Sequence, residues 1–161
     1  AKPVNSGWAQ LREAQRLVAK VDPRAELAVL NDLGETVDIH PLRKKEVAER
    51  IGLCFDRLVF NNNKVKLSPE VIASEVQDDK VILTLDQPIQ PGELHEFELG
   101  GDANGFYNAD ATADGIRIIV KATNEMQGWS TVRYAWKDDP QKANVRSLTG
   151  LPMSSFQLKR K

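Results

Sequence analysis

Asp38 and His40 stand two residues apart in a chain that holds only two histidines. An imidazole can take up and return a proton near neutral pH, which suits it to general acid–base work. Within an extended segment, residues two apart point to the same side, so Asp38 is placed to orient the ring of His40. A histidine held in this way can activate a serine hydroxyl for attack on an ester or amide carbonyl. Asp32 and Glu35 are less direct candidates for the same orienting role. A second reading is purely local: His40 caps a helix beginning at Pro41, and the acids before it favour that helix's positive N-terminal end.

The nucleophile such a pair would serve is not evident. The chain has no Gly-x-Ser-x-Gly elbow, the strained strand-to-helix turn that exposes a nucleophilic serine. Ser68, Ser74, Ser130, Ser147, Ser154 and Ser155 all fall in a β-rich stretch or in the tail, and none follows a parallel-strand pattern. Gly100 to Gly105 is glycine-rich but sits between hairpins, not before a helix, which weakens a phosphate-binding reading. His95, beside Glu93 and Glu96, lacks the spacing of a metal site and reads as an exposed strand-edge residue. Asp102, Asp110 and Asp114 lack the alternation of a calcium loop. The lone Cys54 has no thiolate-stabilising neighbour in sequence and reads as a small buried hydrophobe. Trp129, Tyr134 and Trp136 can be read as a sugar platform, or as buried packing residues with Tyr134 and Trp136 on one strand face.

The elements that must position His40 are legible in the pattern. Ser6 is a candidate N-cap for a helix over 6–20, in which Trp8, Leu11 and Val18 recur at helical spacing. Arg12, Glu13, Arg16 and Lys20 then take the wet side, and Trp8 packs inward. Glu26-Leu27-Ala28-Val29-Leu30 reads as a buried strand of a parallel sheet. The Asp38–His40 loop follows it. A second helix follows the loop, with Pro41 at its first position and Leu42, Val47, Ala48, Ile51, Cys54 and Phe55 on one face. Arg43, Lys44, Lys45, Glu46, Glu49 and Arg50 form its solvated face. Helix, strand, loop, helix is the pattern of a doubly wound α/β domain, where ligands sit at the carboxyl ends of strands.

From about residue 58 the period changes from helical to two-residue. Leu58 to Phe60, then Val65 and Leu67, are strand-like fragments. Residues 71–76 and 80–86 flank Asp78-Asp79, and 106–111 and 116–121 flank Asp114-Gly115, both as hairpins. Residues 131–136 form a further strand, and residues 148–156 read as coil. Short strands with turns between them predict a β-sandwich.

Composition bounds the rest. The chain has 161 residues, 41% of them hydrophobic, enough for a core. Its net charge of −1, from 22 basic and 23 acidic residues, gives no reason to expect nucleic acid or an anionic membrane as partner. No apolar run approaches a bilayer-spanning length. Ala1-Lys2-Pro3-Val4 leads straight into a polar segment, so no signal peptide is visible, which does not fix the compartment.

Several blocks together resemble the C-terminal part of the sialate O-acetylesterases, in the carbohydrate-esterase branch of the SGNH hydrolases. Trp8-Ala-Gln-Leu-Arg-Glu-Ala-Gln15 resembles the family's last long helix. Leu30-Asn-Asp-Leu-Gly34, Asp38-Ile-His-Pro41 and Lys45 resemble its histidine block. Gly105-Phe-Tyr-Asn-Ala109, Val132-Arg-Tyr-Ala-Trp136 and Gly150-Leu-Pro-Met-Ser-Ser-Phe156 resemble its β-rich end. The resemblance implies residues 1–57 as the terminal helix-strand-helix of an SGNH-type, flavodoxin-like domain and 58–161 as a small β-sandwich domain. It implies a serine-dependent esterase that removes O-acetyl groups from sialic acid or a related sugar, without cofactor or metal. His40 would be the general base and Asp38 its partner. The superfamily often writes its last block Asp-x-x-His; here Val37 is three before His40 and Asp38 two before. The family's serine and oxyanion blocks lie upstream of the region matched, so this chain alone is expected to be inactive. The expected partners are the O-acetylated sugar and the missing N-terminal part of the esterase, or a second copy of the chain. A periplasmic or secreted location is what the resemblance favours. The alternative is a non-catalytic β-sandwich module that binds carbohydrate or another protein.

Overall fold

The computed structural model describes residues 6–38, 40–101, 105–123 and 128–160. The first helix, α1 (Gly7–Val21), starts where the sequence places it, because the Ser6 side chain accepts the Ala9 amide at 3.2 Å. Its orientation reverses the expectation. The charged face lies against the β-rich part of the chain, and the apolar face is open, with Trp8 53% and Val18 55% exposed while Arg16 is 4% exposed. Helical spacing establishes that one face is apolar; it does not say which face the neighbouring element covers.

The polar face is held by specific bonds. Arg12 donates through Nε to Ser155 Oγ at 2.8 Å, and its guanidinium reaches the carbonyls of Ala135, Lys137 and Asp138. Arg16 pairs with Glu13 at 2.6 Å and also with Glu70, and Lys20 donates to Glu70 and to the Val71 carbonyl. The Ser6 hydroxyl donates to Asp138 at 2.6 Å.

Residues 26–30 do not form a strand. A strand exists only through a ladder with a neighbour, and among the described residues none pairs with this run. Its side chains are nonetheless half-buried or buried, Val29 most of all. A turn follows, closed by the Leu33 amide on the Leu30 carbonyl at 3.0 Å, with Leu33 buried.

The second helix, α2 (Lys44–Val59), begins three residues after Pro41. It also runs through Leu58 and Val59, which the alternating pattern assigned to a strand fragment. Ile51, Phe55 and Val59 lie exposed along one stripe, and Phe60 stacks edge-on against Phe55. The inner side mixes half-buried Leu53, Cys54 and Leu58 with charged residues: Arg57 pairs with Glu26 at 3.0 Å, and Arg50 is partly buried among acceptors. Arg50 was expected on the solvated face. Cys54 is half-buried, and burial, then the nearby Glu26, pushes its thiol above the ordinary range.

Among the described residues, the remainder folds as two antiparallel sheets. One has five strands in the order β1-β2-β7-β6-β3, comprising β1 (Val71–Gln77), β2 (Lys80–Leu85), β3 (Glu93–Leu94), β6 (Asp110–Asp114) and β7 (Arg117–Lys121). The other has four in the order β5-β4-β8-β9, comprising β4 (Phe97–Gly101), β5 (Gly105–Asn108), β8 (Thr131–Tyr134) and β9 (Phe156–Lys159). The hairpins at Asp78-Asp79 and Asp114-Gly115 appear as the sequence predicts, with Gly115 at φ +62°, where a side chain would be strained. The predicted strand at 106–111 divides into β5 and β6, which join different sheets. Gly100 and Gly101 lie inside β4, paired with β5, not in a loop; a Cβ on Gly100 would stand 2.2 Å from the Gly105 carbonyl oxygen. The tail read as coil ends in the strand β9.

The two sheets enclose one core. Val81, Leu83 and Leu85 of β2 and Ile118 and Val120 of β7 meet Phe97, Leu99, Val132, Tyr134 and Phe156 from the other sheet. Alternating burial along β2 is the period-2 pattern that places these residues inside. Glu98 and Arg133 sit opposite each other on β4 and β8, each 1% exposed, and are ion-paired with the guanidinium 3.5 Å above the Phe106 ring. Trp129, Tyr134 and Trp136 are all buried, which removes the sugar-platform reading. The Tyr134 hydroxyl accepts the Val145 amide at 3.0 Å, and burial raises its phenol well above the ordinary value.

Candidate active site

The loop between the 26–30 run and α2 brings Asp38 and His40 together. Asp38 Oδ1 stands 2.9 Å from His40 Nδ1 and accepts the His40 backbone N–H at 2.8 Å. One carboxylate oxygen thus fixes both the backbone turn and the ring, a consequence of an aspartate two residues before its partner. The His40 backbone N–H, and next its ring, hold the Asp38 carboxyl below the usual carboxylate range. Both side chains are exposed. The second ring nitrogen, Nε2, has no hydrogen-bond partner among the described residues.

These contacts decide between the sequence readings. His40 does not cap α2; the N-cap is Arg43, with no side-chain cap bond. Asp32 does not hold the His40 ring directly, because its carboxylate is taken by two arginines. Arg50 grips it bidentately at 2.5 and 2.9 Å, and Arg146 donates to Oδ2 at 2.8 Å. Burial pushes the Asp32 carboxyl up, but the bonds from Arg50 and Arg146 outweigh it and hold it below the ordinary range. Glu35 is exposed in the same loop.

The serines do not engage this pair among the described residues, although Ser154 lines the same groove as Asp38. Ser155 accepts from Arg12 and donates to the Ala135 carbonyl at 2.9 Å. Ser147 bonds Thr149 and accepts the Leu151 amide. Ser130 lies near the Gly100 carbonyl. Among the described residues, no serine hydroxyl bonds His40. His95 Nδ1 is 3.9 Å from Glu93 Oε1, its side chain half exposed. Among the described residues, no three His, Cys, Asp or Glu side chains group as a metal site. Asp102 lies outside the described residues.

An open groove of about 930 Å³ runs between the apolar face of α1 and residues 25–38. Trp8, Leu11 and Val18 form one wall, and Leu27, Leu30 and Val37 are on the other; Asp38 lines the groove beside them. Sequence reasoning singled out Asp38 and His40, which the structure brings into contact, but did not pair Asp32 with Arg50 and Arg146. The signal for that grouping was hidden, since Arg50 lies in a run of charged helix residues and Arg146 is far away in the chain.

No protein-family model matches the chain, and no curated protein does. Among solved structures, the chain is similar to the crystal structure of a carbohydrate acetylesterase from Xanthomonas citri, at 29% identity and a TM-score of 0.88. The match covers 98% of this chain and 38% of that one. This chain therefore resembles a carbohydrate esterase in fold along almost its whole length, while spanning well under half the length of the protein it matches.

Proposed function

We propose that these residues are the C-terminal portion of a serine-dependent carbohydrate O-acetylesterase that deacetylates sialic acid or a related sugar, with His40 as general base. The observation that carries this reading is the 2.9 Å contact between Asp38 and His40 Nδ1, which leaves Nε2 without a hydrogen-bond partner among the described residues. Likeness to a carbohydrate acetylesterase adds the substrate class. In this reading a serine from outside the chain attacks the acetyl carbonyl while His40 Nε2 takes its proton. The tetrahedral intermediate collapses to an acetyl-serine as His40 returns the proton to the departing sugar oxygen. Water, deprotonated by the same nitrogen, then releases acetate. Asp38 holds the ring and stabilises the imidazolium. No cofactor enters these steps.

Residues 1–57 would complete an SGNH-type, flavodoxin-like domain, with 58–161 as a β-rich companion domain. Three features support that completion. Residues 26–30 are extended without a ladder partner, and α1 and α2 both present apolar stripes to the outside. A sheet laid along residues 26–30 would use all three. The non-catalytic alternative loses its aromatic platform, because Trp129, Tyr134 and Trp136 are buried.

The test is acetate release from O-acetylated sialic acids and other O-acetylated sugars. The 161-residue chain should be inactive alone and active when joined to a serine-bearing α/β polypeptide. Turnover by the chain alone would overturn the assignment of the nucleophile.

A further inference from the structure

We infer that Asp32 is a positioning residue for His40, and that Arg146 makes the β-rich part of the chain a working member of the site. The inference rests on the esterase reading of His40. The geometry is that of a clasp. Asp32 precedes the His40 loop and Arg50 follows it on α2, so their bidentate pair closes residues 33–49 into a ring containing Asp38 and His40. Arg50 Nη1 also donates to the Val29 carbonyl at 2.7 Å, tying the ring to the 26–30 run. Arg146 reaches the same carboxylate from the β-rich part of the chain, 114 residues away. Its Nη1 bonds both Asp32 Oδ2 at 2.8 Å and the Gly150 carbonyl at 3.0 Å. The Arg146 backbone is itself held, since its carbonyl accepts from Gln90 at 2.9 Å and it bridges Pro152.

Among the described residues of the ring, Leu33 is buried and the segment after it has few other contacts. Residues 34–38 and His40 are exposed, and Thr36 accepts one long bond from Gln141 at 3.3 Å. An exposed loop with few contacts samples many conformations unless its base is pinned. A shift of about 1 Å in a proton-transfer group can cost about 10²-fold in rate. Asp32 is 13% exposed and spends all its contacts on the two arginines, so its effect on catalysis would pass through the loop rather than through the reacting atoms.

Hydrogen exchange on the 161-residue chain tests the clasp without reference to activity. The His40 amide, bonded to Asp38, is the reporter. Asp32→Asn and Arg146→Met should speed its exchange about 5-fold or more. The amides of Leu83 and Ile118, in the sheet core, should stay within about twofold. Arg146→Lys should restore near-native exchange, because one nitrogen makes both of that residue's contacts, whereas Arg50→Lys should not, because its grip is bidentate. Unchanged exchange at His40 in both Asp32→Asn and Arg146→Met, or an equal rise at the core amides, would overturn the clasp. In the assembled esterase the same two variants should lower kcat about 10–100-fold with KM within about twofold. Faster exchange with full kcat would overturn the positioning role while sparing the esterase reading. Full activity in His40→Ala would instead remove the reading itself, and the positioning claim with it.

Discussion

Arg12, near the start of α1, donates its Nε to the Oγ of Ser155, one residue before β9, at 2.8 Å. Around this bond the helix turns its charges inward and its hydrophobic residues outward. Ser155 is fully buried and its hydroxyl donates a hydrogen bond to the Ala135 carbonyl at 2.9 Å, so the guanidinium completes a chain of buried polar groups. Burial outweighs the nearby Asp138 and Asp139 and lowers the Arg12 pKa. Arg12→Met should leave the Ser155 oxygen and the Lys137 carbonyl without the Arg12 donor, while the Ala135 carbonyl keeps only the Ser155 hydroxyl. The expected loss is about 2 kcal/mol. In urea unfolding the midpoint should fall at an unchanged slope.

The outward faces carry the second prediction. Trp8, Leu11 and Val18 on α1 and Ile51, Phe55 and Val59 on α2 are all exposed, more apolar surface than an isolated soluble chain ordinarily shows. The chain by itself should associate at concentrations on the order of tens of micromolar. The double change Trp8→Glu and Val18→Glu should shift it toward monomer in sedimentation velocity, because the two charges placed on the α1 patch must be desolvated on contact. Equal sedimentation of both proteins would speak against an unsatisfied face.

What the sequence made legible follows the range of the interactions. Ser6 as N-cap, the hairpin at Asp114-Gly115 and the alternation of Val81, Leu83 and Leu85 are local signals, and each appears in the structure. The pairing of Asp38 with His40 is also local, since two residues and one turn suffice. What was not legible depends on distant partners. Arg16 was read as wet, but Glu70 lies 54 residues away in the chain. Arg50 and Arg146 meet on Asp32 across separations of 18 and 114 residues. Residues 26–30 carry a strand's composition, and composition does not supply a neighbour to pair with.

The pH dependence of the loop follows from Asp38. Its carboxyl lies below the ordinary range because it accepts the His40 backbone N–H and then bonds the ring. A depressed carboxylate contributes to the ordered loop above its unfolded value, about 4, and that contribution is lost as pH falls through the lower folded value. The carboxyl carbon shift of Asp38, followed by NMR, should therefore titrate below that of an unstructured aspartate. The His40 amide should keep its bond until the same pH. In His40→Pro, which removes the donating N–H, the Asp38 titration should move up toward about 4.

The most direct test of the central claim is the kcat of the proposed esterase, this chain joined to a serine-bearing α/β polypeptide, compared with its His40→Ala and Asp38→Asn variants on an O-acetylated sugar. If His40 is the base, His40→Ala should lower kcat about 10³-fold or more with KM little changed. Asp38→Asn, which leaves a ring partner of the same size without its charge, should lower kcat by about 10-fold or more. A His40→Ala enzyme within about tenfold of the parent would contradict the assignment of His40 as the proton-transfer group.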